Sequence, residues 1–406
     1  MQGKLNEAYS KYIDSLTNYH EVMKMKCRHK WAAHSMKCEK CGMTKLEYEE
    51  SKKPVFNPRS SQQTVKVLQQ LGFCLTKKTA KSKTFSTDDS VLFDLQGKHE
   101  FVDTLIKYRE IYKQYSTYVC PLLHISERSL NTGLDSLIFP RFKQTSVSDE
   151  RLSSADPNIQ NITKNSEYGK TLRKCFIARP GHVLIANDYS QLHLRILAHY
   201  SRDPMMIDAY NTDKDLHQLT ADMLNVVRSP VAKTINFGIV YSVGPKALAQ
   251  QLHEQGHDIS EKEASRIIQD FFEKYKGVKR WREYIMTYAQ HYGYAPSIFG
   301  FRVPLPYITE TKGGRLTPRA WHEQRKAVNS PILTTEAQIV KRSMQRIKKE
   351  LGIDPIWQIH DDLTYEVQES CYGVAADKIR LLMEAENPLC VPLKVEQKIG
   401  KDWGSL

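Results

Sequence analysis

Several things are scarce in this sequence, and each scarcity removes a class of protein. Cysteine is sparse, at 8 residues in 406. Cys74, Cys120, Cys175, Cys371 and Cys390 stand isolated, which excludes a dense disulfide framework and fits a reducing compartment. No apolar run approaches the ~18 residues needed to span a bilayer, so no membrane role is expected. Met1 is followed by polar residues without a secretory leader pattern, and the expected location is cytoplasmic. Internal repeats and long linkers are also missing. Hydrophobic residues at 40% and charged residues at 26% exclude a disordered chain.

Acidic residues fall short of basic ones, 46 against 59, which leaves a net charge of +13. An anionic partner is expected, nucleic acid first among candidates. The surplus is local. Residues 24–83 hold 15 Lys and Arg against 4 Asp and Glu, whereas residues 334–406 hold 10 against 12. At roughly 100–200 residues per domain, the chain should contain two or three subdomains.

Tyr9, Tyr12, Ile13 and Leu16 recur at helical spacing, and Val65, Leu68 and Leu71 mark one face of another helix. Residues 75–90 are polar and read as an exposed loop; Val102 to Val119 reads as a long helix. Val183-Leu184-Ile185 predicts a buried strand ending at Asp188, followed at once by a helix through Leu192, Ile196 and Leu197. Residues 201–333 are mostly helical in pattern. Ile356–Ile359 and Leu363–Val367 are two β-like runs around His360-Asp361-Asp362, which predicts a tight hairpin with carboxylates at its tip.

Carboxylates at strand ends and turns can be held rigidly at a cleft edge. Two or three of them suit a pair of Mg²⁺ ions of the kind that serve phosphoryl transfer. Taken alone, Asp361-Asp362 reads equally as a turn-forming pair. Lys233, Phe237 and Tyr241 follow one another at i, i+4 and i+8, so they share a helix face. A plain core stripe would explain the two aromatics but not the lysine. Ser229-Pro230 reads as the N-cap and first residue of that helix.

Residues 26–53 form a basic insert. Its Cys38-Glu39-Lys40-Cys41-Gly42 half resembles a zinc knuckle, with Cys27 and His29 as the best remaining ligands and His34 in reserve. Four such ligands would close a structural Zn²⁺ site. The alternative is a cysteine pair in a loop without metal. Lys24, Lys26, Arg28, Lys30, Lys37 and Lys40 around it suggest DNA-backbone contacts or a solvated charged face.

Together, three motifs carry a resemblance. Asp188-Tyr189-Ser190-Gln191-Leu192-His193-Leu194-Arg195 resembles motif A of the family A DNA polymerases, Lys233 to Tyr241 resembles motif B, and His360-Asp361-Asp362 is similar to motif C, usually His-Asp-Glu. Further matches follow in the family's order: Phe56-Asn57 with Ser60, Ser61 and Gln63; Lys77-Lys78-Thr79 to Ser86-Thr87-Asp88; Arg151-Leu152-Ser153-Ser154 to Asn161-Ile162; Arg173-Lys174; Asp215-Leu216-His217; and Arg325 to Ile332. The resemblance covers residues 54–406.

It implies an α+β right hand: a thumb over 1–136 carrying the insert at about 26–53, palm over 137–200 and 334–406 with an antiparallel sheet, and helical fingers over 201–333. It implies template-directed addition of deoxynucleotides to a primer 3′-hydroxyl with two Mg²⁺ ions, for which Mn²⁺ can substitute. The partners would be primer-template DNA and dNTPs, on a monomer served by replication accessory proteins. No exonuclease is expected ahead of the thumb. Asp188, Asp361 and the Tyr189 carbonyl would hold metal, with Asp362 and Lys233 also catalytic. Arg173, Gln191, His193, His217, Arg228, Phe237 and Tyr241 would face the nucleotide with Lys233. Arg151, Asn161, Arg325, Asn329 and His360 would face DNA.

Departures from the family are informative. His193 stands where the family has a Glu that blocks a 2′-hydroxyl, so ribonucleotide discrimination should be altered. Ser229 stands where an Arg is usual, and Arg228 is expected to supply the phosphate contact instead. Position 333 is Leu rather than the usual Gln, and Asp149-Glu150 replaces Thr-Gly, two acids that would repel a primer phosphate unless turned away. The rival readings are a single-subunit RNA polymerase, a ribonucleotide-tolerant polymerase, and a polymerase-derived DNA-binding protein with weak or no activity. Phe237 and the Tyr-Ser-Gln run oppose the first, and the retained carboxylates oppose the last.

Overall fold

The computed structural model describes residues 56–79, 84–131, 137–164 and 166–406. Cys27, His29, Cys38 and Cys41 lie outside the described residues, as does most of the basic 24–83 segment. Two compact units emerge, one running up to Ile138 and including Ser166–Cys175, the other comprising Phe139–Asn165 and Phe176–Leu406.

The first unit is helical where described. Its Ser61–Gln70 helix is capped by the Ser60 hydroxyl, which accepts from the Gln63 N–H. Leu68 of that helix packs against Leu92, Val102 and Leu105. Arg109, half-buried on the Glu100–Gln114 helix, donates to the Pro58 and Thr87 carbonyls at 3.2 and 2.5 Å and to the Thr64 hydroxyl at 3.2 Å. This one guanidinium ties together three segments. A π turn, Tyr115–Val119, then leads into the Cys120–Asn131 helix.

The exposed loop expected over 75–90 holds at Thr76, Lys77, Lys78, Thr84 and Asp88, which are exposed, and is corrected toward its far end. Lys78 bridges to Phe85, Thr87 is buried, and the helix Asp89–Leu95 has already begun by residue 90. Polarity misled because Ser86 and Thr87 are buried with their hydrogen bonds made: Ser86 N–H donates to the Lys77 carbonyl at 2.8 Å, and the Thr87 carbonyl takes Arg109.

The second unit is built on a four-stranded antiparallel sheet. Its strands are β3 (His182–Tyr189), β8 (Trp357–Ile359), β9 (Asp362–Gln368) and β10 (Val395–Gly400), in the order β10-β3-β9-β8. Short two-stranded ribbons join β1 (Arg141–Lys143) to β2 (Ser153–Ala155), β4 (Tyr294–Pro296) to β5 (Arg302–Pro304), and β6 (Thr311–Lys312) to β7 (Arg315–Leu316). The continuous apolar run of β3 fits a central strand covered on its faces. Ile185 and Tyr189 share one core with Leu363 and Tyr365 of β9, Ile379 of the Tyr372–Ala385 helix, and Ile339 of the long Pro318–Leu351 helix.

The expectation of mostly helix over 201–333 holds from Pro204 to Tyr292 and again from Pro318, but the stretch between forms the ribbons β4–β5 and β6–β7 instead. Asp203 caps the Pro204–Asn211 helix through the N–H groups of Met205 and Met206 and also accepts from the Gly277 N–H at 2.8 Å. A Cβ on Gly277 would lie 2.7 Å from the Asp203 Cα, backbone that cannot yield. Gly277→Ala should therefore destabilise by about 1–3 kcal/mol, read as a lower urea midpoint with an unchanged slope.

Asp88 gives a pH-dependent test in the first unit. Burial pushes its carboxyl up, but Lys77 at 2.9 Å, the Ser90 and Ser86 hydroxyls and the Val91 N–H pull harder and hold it at about 2. A lowered acid contributes stability above its ordinary value, and that contribution disappears as pH falls toward its folded value. Asp88→Ala, which also removes a helix cap, should cost about 1 kcal/mol at neutral pH. The difference from wild type should shrink between pH values of about 4 and 2, as urea denaturation at several pH values would show.

Candidate active site

Strand register builds the acidic centre. β3 pairs with β9 so that Asp188 lies opposite Asp362, while β10 places Glu396 opposite Asp188 on its other side. β8 and β9 close on Ile359↔Asp362, leaving His360 and Asp361 as a two-residue turn. His360 takes a left-handed conformation, φ +56°. Its carbonyl accepts from the Gln358 amide, and Gln160 donates in turn to the Gln358 carbonyl at 3.2 Å. The hairpin predicted from sequence is present, but Asp362 is the first residue of the returning strand, and its Oδ1 accepts from the Thr364 hydroxyl at 2.8 Å.

Asp188 and Asp361 come within hydrogen-bond reach of each other. Asp188 keeps solvent access, yet enclosure by protein, with Glu396 beside it, pushes its carboxyl up against the pull of Lys164 and Lys398. Asp361 is pushed well up by burial, then by Asp188 and Glu336. Two close carboxylates that resist joint ionisation form a donor set a divalent cation would neutralise. Among the described residues no three His, Cys, Asp or Glu side chains form a ready ligand cluster. The centre is a carboxylate pair, which suits a cation that keeps further positions for water or substrate oxygens.

The second feature is a helix beside a cavity. Lys233–Val240 buries Ile235, Asn236, Ile239 and Val240 and turns Lys233, Phe237 and Tyr241 to the other side. These three line a cavity of about 590 Å³ with Gln251 and Gln255. The helix does not start at Ser229-Pro230. A π turn over Arg228–Ala232 precedes it, and the extended residue before that turn is Val227. The Ser-Pro signal misplaced the start by two residues, because the wide first turn takes up Arg228 and Ser229. Arg228 is engaged by Asp215, with Nε 2.7 Å from the carboxylate, and Asp215 also caps the Leu216–Leu224 helix.

His217 is buried beside the cavity wall, its ring centroid 5.8 Å from that of Phe237. Burial pulls its pKa below 6.5, and Lys233 and Arg228 add to this against Asp215. The Asn236 amide lies 2.9 Å from Nδ1 and can donate to it, which leaves the hydrogen of the neutral ring on Nε2.

The third feature is a polar cluster under Tyr241. Its hydroxyl is 3.2 Å from Nδ1 of His193, whose Nε2 is 2.6 Å from Oε2 of Glu336. Arg151 reaches the same oxygen through Nε at 3.2 Å and Nη2 at 2.5 Å. Glu336 is 1% exposed; burial pushes its carboxyl up, but His193 and Arg151 outweigh burial and hold it below the usual range. The two acids before Arg151 are occupied rather than facing a strand: Asp149 accepts from the Arg151 N–H at 3.2 Å, and Glu150 from the Gln338 amide at 2.5 Å.

Other sequence-chosen residues are placed separately. Asn329 donates to the Tyr241 carbonyl at 3.2 Å, and Gln191 accepts from the Tyr210 hydroxyl at 3.1 Å. Arg325, Asn161 and His360 are exposed. The backbone N–H of Tyr189 faces the Asp361 carbonyl at 3.4 Å, while its hydroxyl is buried against Ser343 and the Met383 carbonyl. Arg173 ends the Glu167–Arg173 helix of the first unit. Sequence reasoning missed Glu336, Asn236, Gln160 and the pairing role of Asp215. Glu336 and Asn236 are polar residues at buried helical positions, which no local pattern distinguishes from exposed ones, and the partners of Gln160 and Asp215 lie far along the chain.

Residues 6–405 match the family model for DNA polymerase family A. The chain is 35% identical over 363 residues to the thermostable DNA polymerase I of Thermus aquaticus, covering 86% of this chain and 42% of that protein. It is 34% identical over 384 residues to DNA polymerase I of Bacillus subtilis, covering 90% of this chain and 42% of the relative. It thus spans about two fifths of the length of these curated relatives. Among solved structures, the polymerase domain of Pol1 from M. smegmatis, in complex with DNA primer-template and dNTP, aligns with a TM-score of 0.77 at 31% identity, over 86% of this chain and 62% of that one. The right-hand α+β architecture expected from the sequence is the one this likeness shows. No described helix is long and apolar enough to cross a membrane.

His217 yields a direct test. Its imidazole should titrate below 6.5 in an NMR pH series, and Asn236→Leu should remove the hydrogen-bond donor to Nδ1 and shift its nitrogen resonances.

Proposed function

The chain belongs to DNA polymerase family A, and we propose that it catalyses template-directed addition of deoxynucleotides to a primer 3′-hydroxyl with release of pyrophosphate. The observation that carries this reading is the carboxylate pair. Asp188, near the end of β3, and Asp361, in the turn that leads into β9, come from positions 173 residues apart in the chain and end within hydrogen-bond reach. A fold has no structural use for a buried acid whose ionisation is opposed by burial and by a second acid beside it, whereas a phosphoryl-transfer site does.

The pair fits divalent cations. Asp188 and Asp361 would hold Mg²⁺, together with the Tyr189 carbonyl. Bound there, the metal would lower the pKa of the primer hydroxyl and offset charge on the leaving pyrophosphate. The remaining chemistry belongs to the chain. Lys233, on the cavity wall, binds the triphosphate and is placed to give a proton to the departing pyrophosphate oxygen. Phe237 packs on the sugar and Tyr241 closes the cavity toward the templating base. His217, a neutral donor through Nε2, contacts a phosphate oxygen. Arg228 reaches phosphate only by leaving Asp215. Arg151 holds its place beside Glu336, and Asn329 fixes the end of the Tyr241 helix, so both act on the primer-template from constrained positions. In this reading residues 137–200 and 334–406 are the two halves of a palm, joined through β3 and β9, and residues 201–333 are fingers.

Primer extension on a defined template tests the proposal. Wild type should extend with dNTPs and Mg²⁺, and Asp361→Ala should lose at least about a hundredfold in rate. The variant should stay folded, since the substitution relieves repulsion from Asp188 and Glu336. Wild type that binds primer-template without extending it would favour a DNA-binding protein instead. Equal extension by Asp361→Ala would remove the acidic pair from the mechanism.

A further inference from the structure

The family resemblance assigns no role to Glu336, a carboxylate taken out of water in the middle of the Pro318–Leu351 helix. Burying such a group is costly unless it is paired and fully hydrogen-bonded. One oxygen, Oε2, receives both Arg151 and His193. Balancing Arg151 alone would not require a second partner, the His193 ring, on the same oxygen. We infer that Glu336 is a positioning residue for sugar selection: it fixes which nitrogen of His193 carries hydrogen and, through that ring, where Tyr241 stands at the edge of the nucleotide-facing cavity. This rests on the polymerase reading of that cavity.

The argument is one of donors and acceptors. An ionised carboxylate only accepts, so the 2.6 Å contact puts a hydrogen on Nε2 of His193. Arg151 only donates. Its Nη2, 3.1 Å from Nε2, therefore finds no acceptor there and turns to the same Glu336 oxygen. With Nε2 carrying the hydrogen, Nδ1 of the neutral ring presents a lone pair, and the Tyr241 hydroxyl at 3.2 Å donates to it. The rings of His193 and Tyr241 meet edge to face, with centroids 5.8 Å apart and planes at 84°. Glu336 thus reaches Tyr241 through an imidazole, and Tyr241 lines the cavity with Lys233 and Phe237.

Such a relay has a directional consequence. Without the Glu336 acceptor, Nε2 faces only Arg151, a donor, and the favoured tautomer moves the hydrogen to Nδ1. Nδ1 then no longer accepts from Tyr241, and the cavity wall beside the sugar-packing Phe237 becomes mobile. A wall that excludes a hydroxyl by shape loses selectivity when it loosens, and it loses it through easier ribonucleotide binding.

Single-nucleotide extension with dATP and with ATP, on wild type, Glu336→Leu, His193→Ala and the double variant, reads the selectivity. Nitrogen-15 NMR of the His193 ring reads the tautomer. Glu336→Leu, which removes the acceptor, should lower the dATP-to-ATP ratio of kcat/KM by about tenfold, mainly through a lower KM for ATP. The double variant should be no less selective than His193→Ala, because the Glu336 effect passes through that ring. The spectrum should show hydrogen on Nε2 in wild type and on Nδ1 in Glu336→Leu. Glu336→Asp, which keeps an acceptor, should retain the wild-type tautomer and selectivity, and a shifted tautomer in it would count against the inference if Glu336→Leu fails to fold. An unchanged ratio, an additive double variant, or an unchanged tautomer in Glu336→Leu would each overturn the inference. Failure of wild type to extend with dATP would instead overturn the polymerase reading, and the tautomer would still judge the role of Glu336.

Discussion

The pairing of β3 with β9 is the constraint on which the rest of the second unit depends. Side chains alternate along a strand, so a slip of one residue would carry every group to the opposite face. In the observed register Ile185 meets Tyr365 and Asp188 meets Asp362. The same alignment that buries Ile185 and Tyr365 in the core therefore brings Asp188 to the level of the turn that bears Asp361. Apolar burial fixes the register, and the register fixes the acids. At the end of the strand, Tyr189 locks its hydroxyl onto Ser343 and the Met383 carbonyl, and Asn187 donates to the Leu363 carbonyl at 2.9 Å and accepts from Gln397 at 2.7 Å. These buried polar groups are satisfied across strands, so they favour this alignment over a shifted one.

Against that rigid frame sits a cluster that works against stability. Asp188, Asp361, Asp362 and Glu396 crowd one end of the sheet, and burial and mutual repulsion oppose the ionisation of Asp361. Electrostatic cost concentrated where a cation would offset it is the usual mark of a functional site. The neighbouring polar cluster behaves differently. Glu336 is as buried as any acid described, but two partners hold its carboxyl ionised, so it organises its surroundings rather than straining them.

The sequence made the local and periodic parts of this legible. The apolar run before Asp188, the β-like runs around His360-Asp361-Asp362, and the shared face of Lys233, Phe237 and Tyr241 each depend on spacing within one element, and each appears as read. Features that join distant elements were not legible. Glu336 and His193 are separated by 143 positions, and a glutamate in a long amphipathic helix ordinarily faces water. Position 193 could be recognised as unusual, but only the fold shows that a carboxylate stands behind it. The buried turn at Ser86 and Thr87 failed for a related reason. Short polar side chains read as exposed unless one knows that Arg109, more than twenty residues on, supplies the missing donors.

Arg228 and Lys233 show how the same charge can be spent differently within one turn of chain. Arg228 lies on Asp215, the residue that also caps the helix bearing His217. A phosphate that drew Arg228 away would leave Asp215 with its backbone donors alone. Recruitment of that arginine is therefore coupled to the placement of His217, two residues beyond the cap. Lys233 forms no ion pair among the described residues and stands on the cavity wall. Its positive field already opposes charging of His217, and a bound polyphosphate would reverse the sign of that effect. One cation thus stands on the cavity wall, and a second, Arg228, is held by a carboxylate. In the polymerase reading proposed above, the lysine would meet the triphosphate first, and the arginine would follow only if phosphate competed successfully with Asp215.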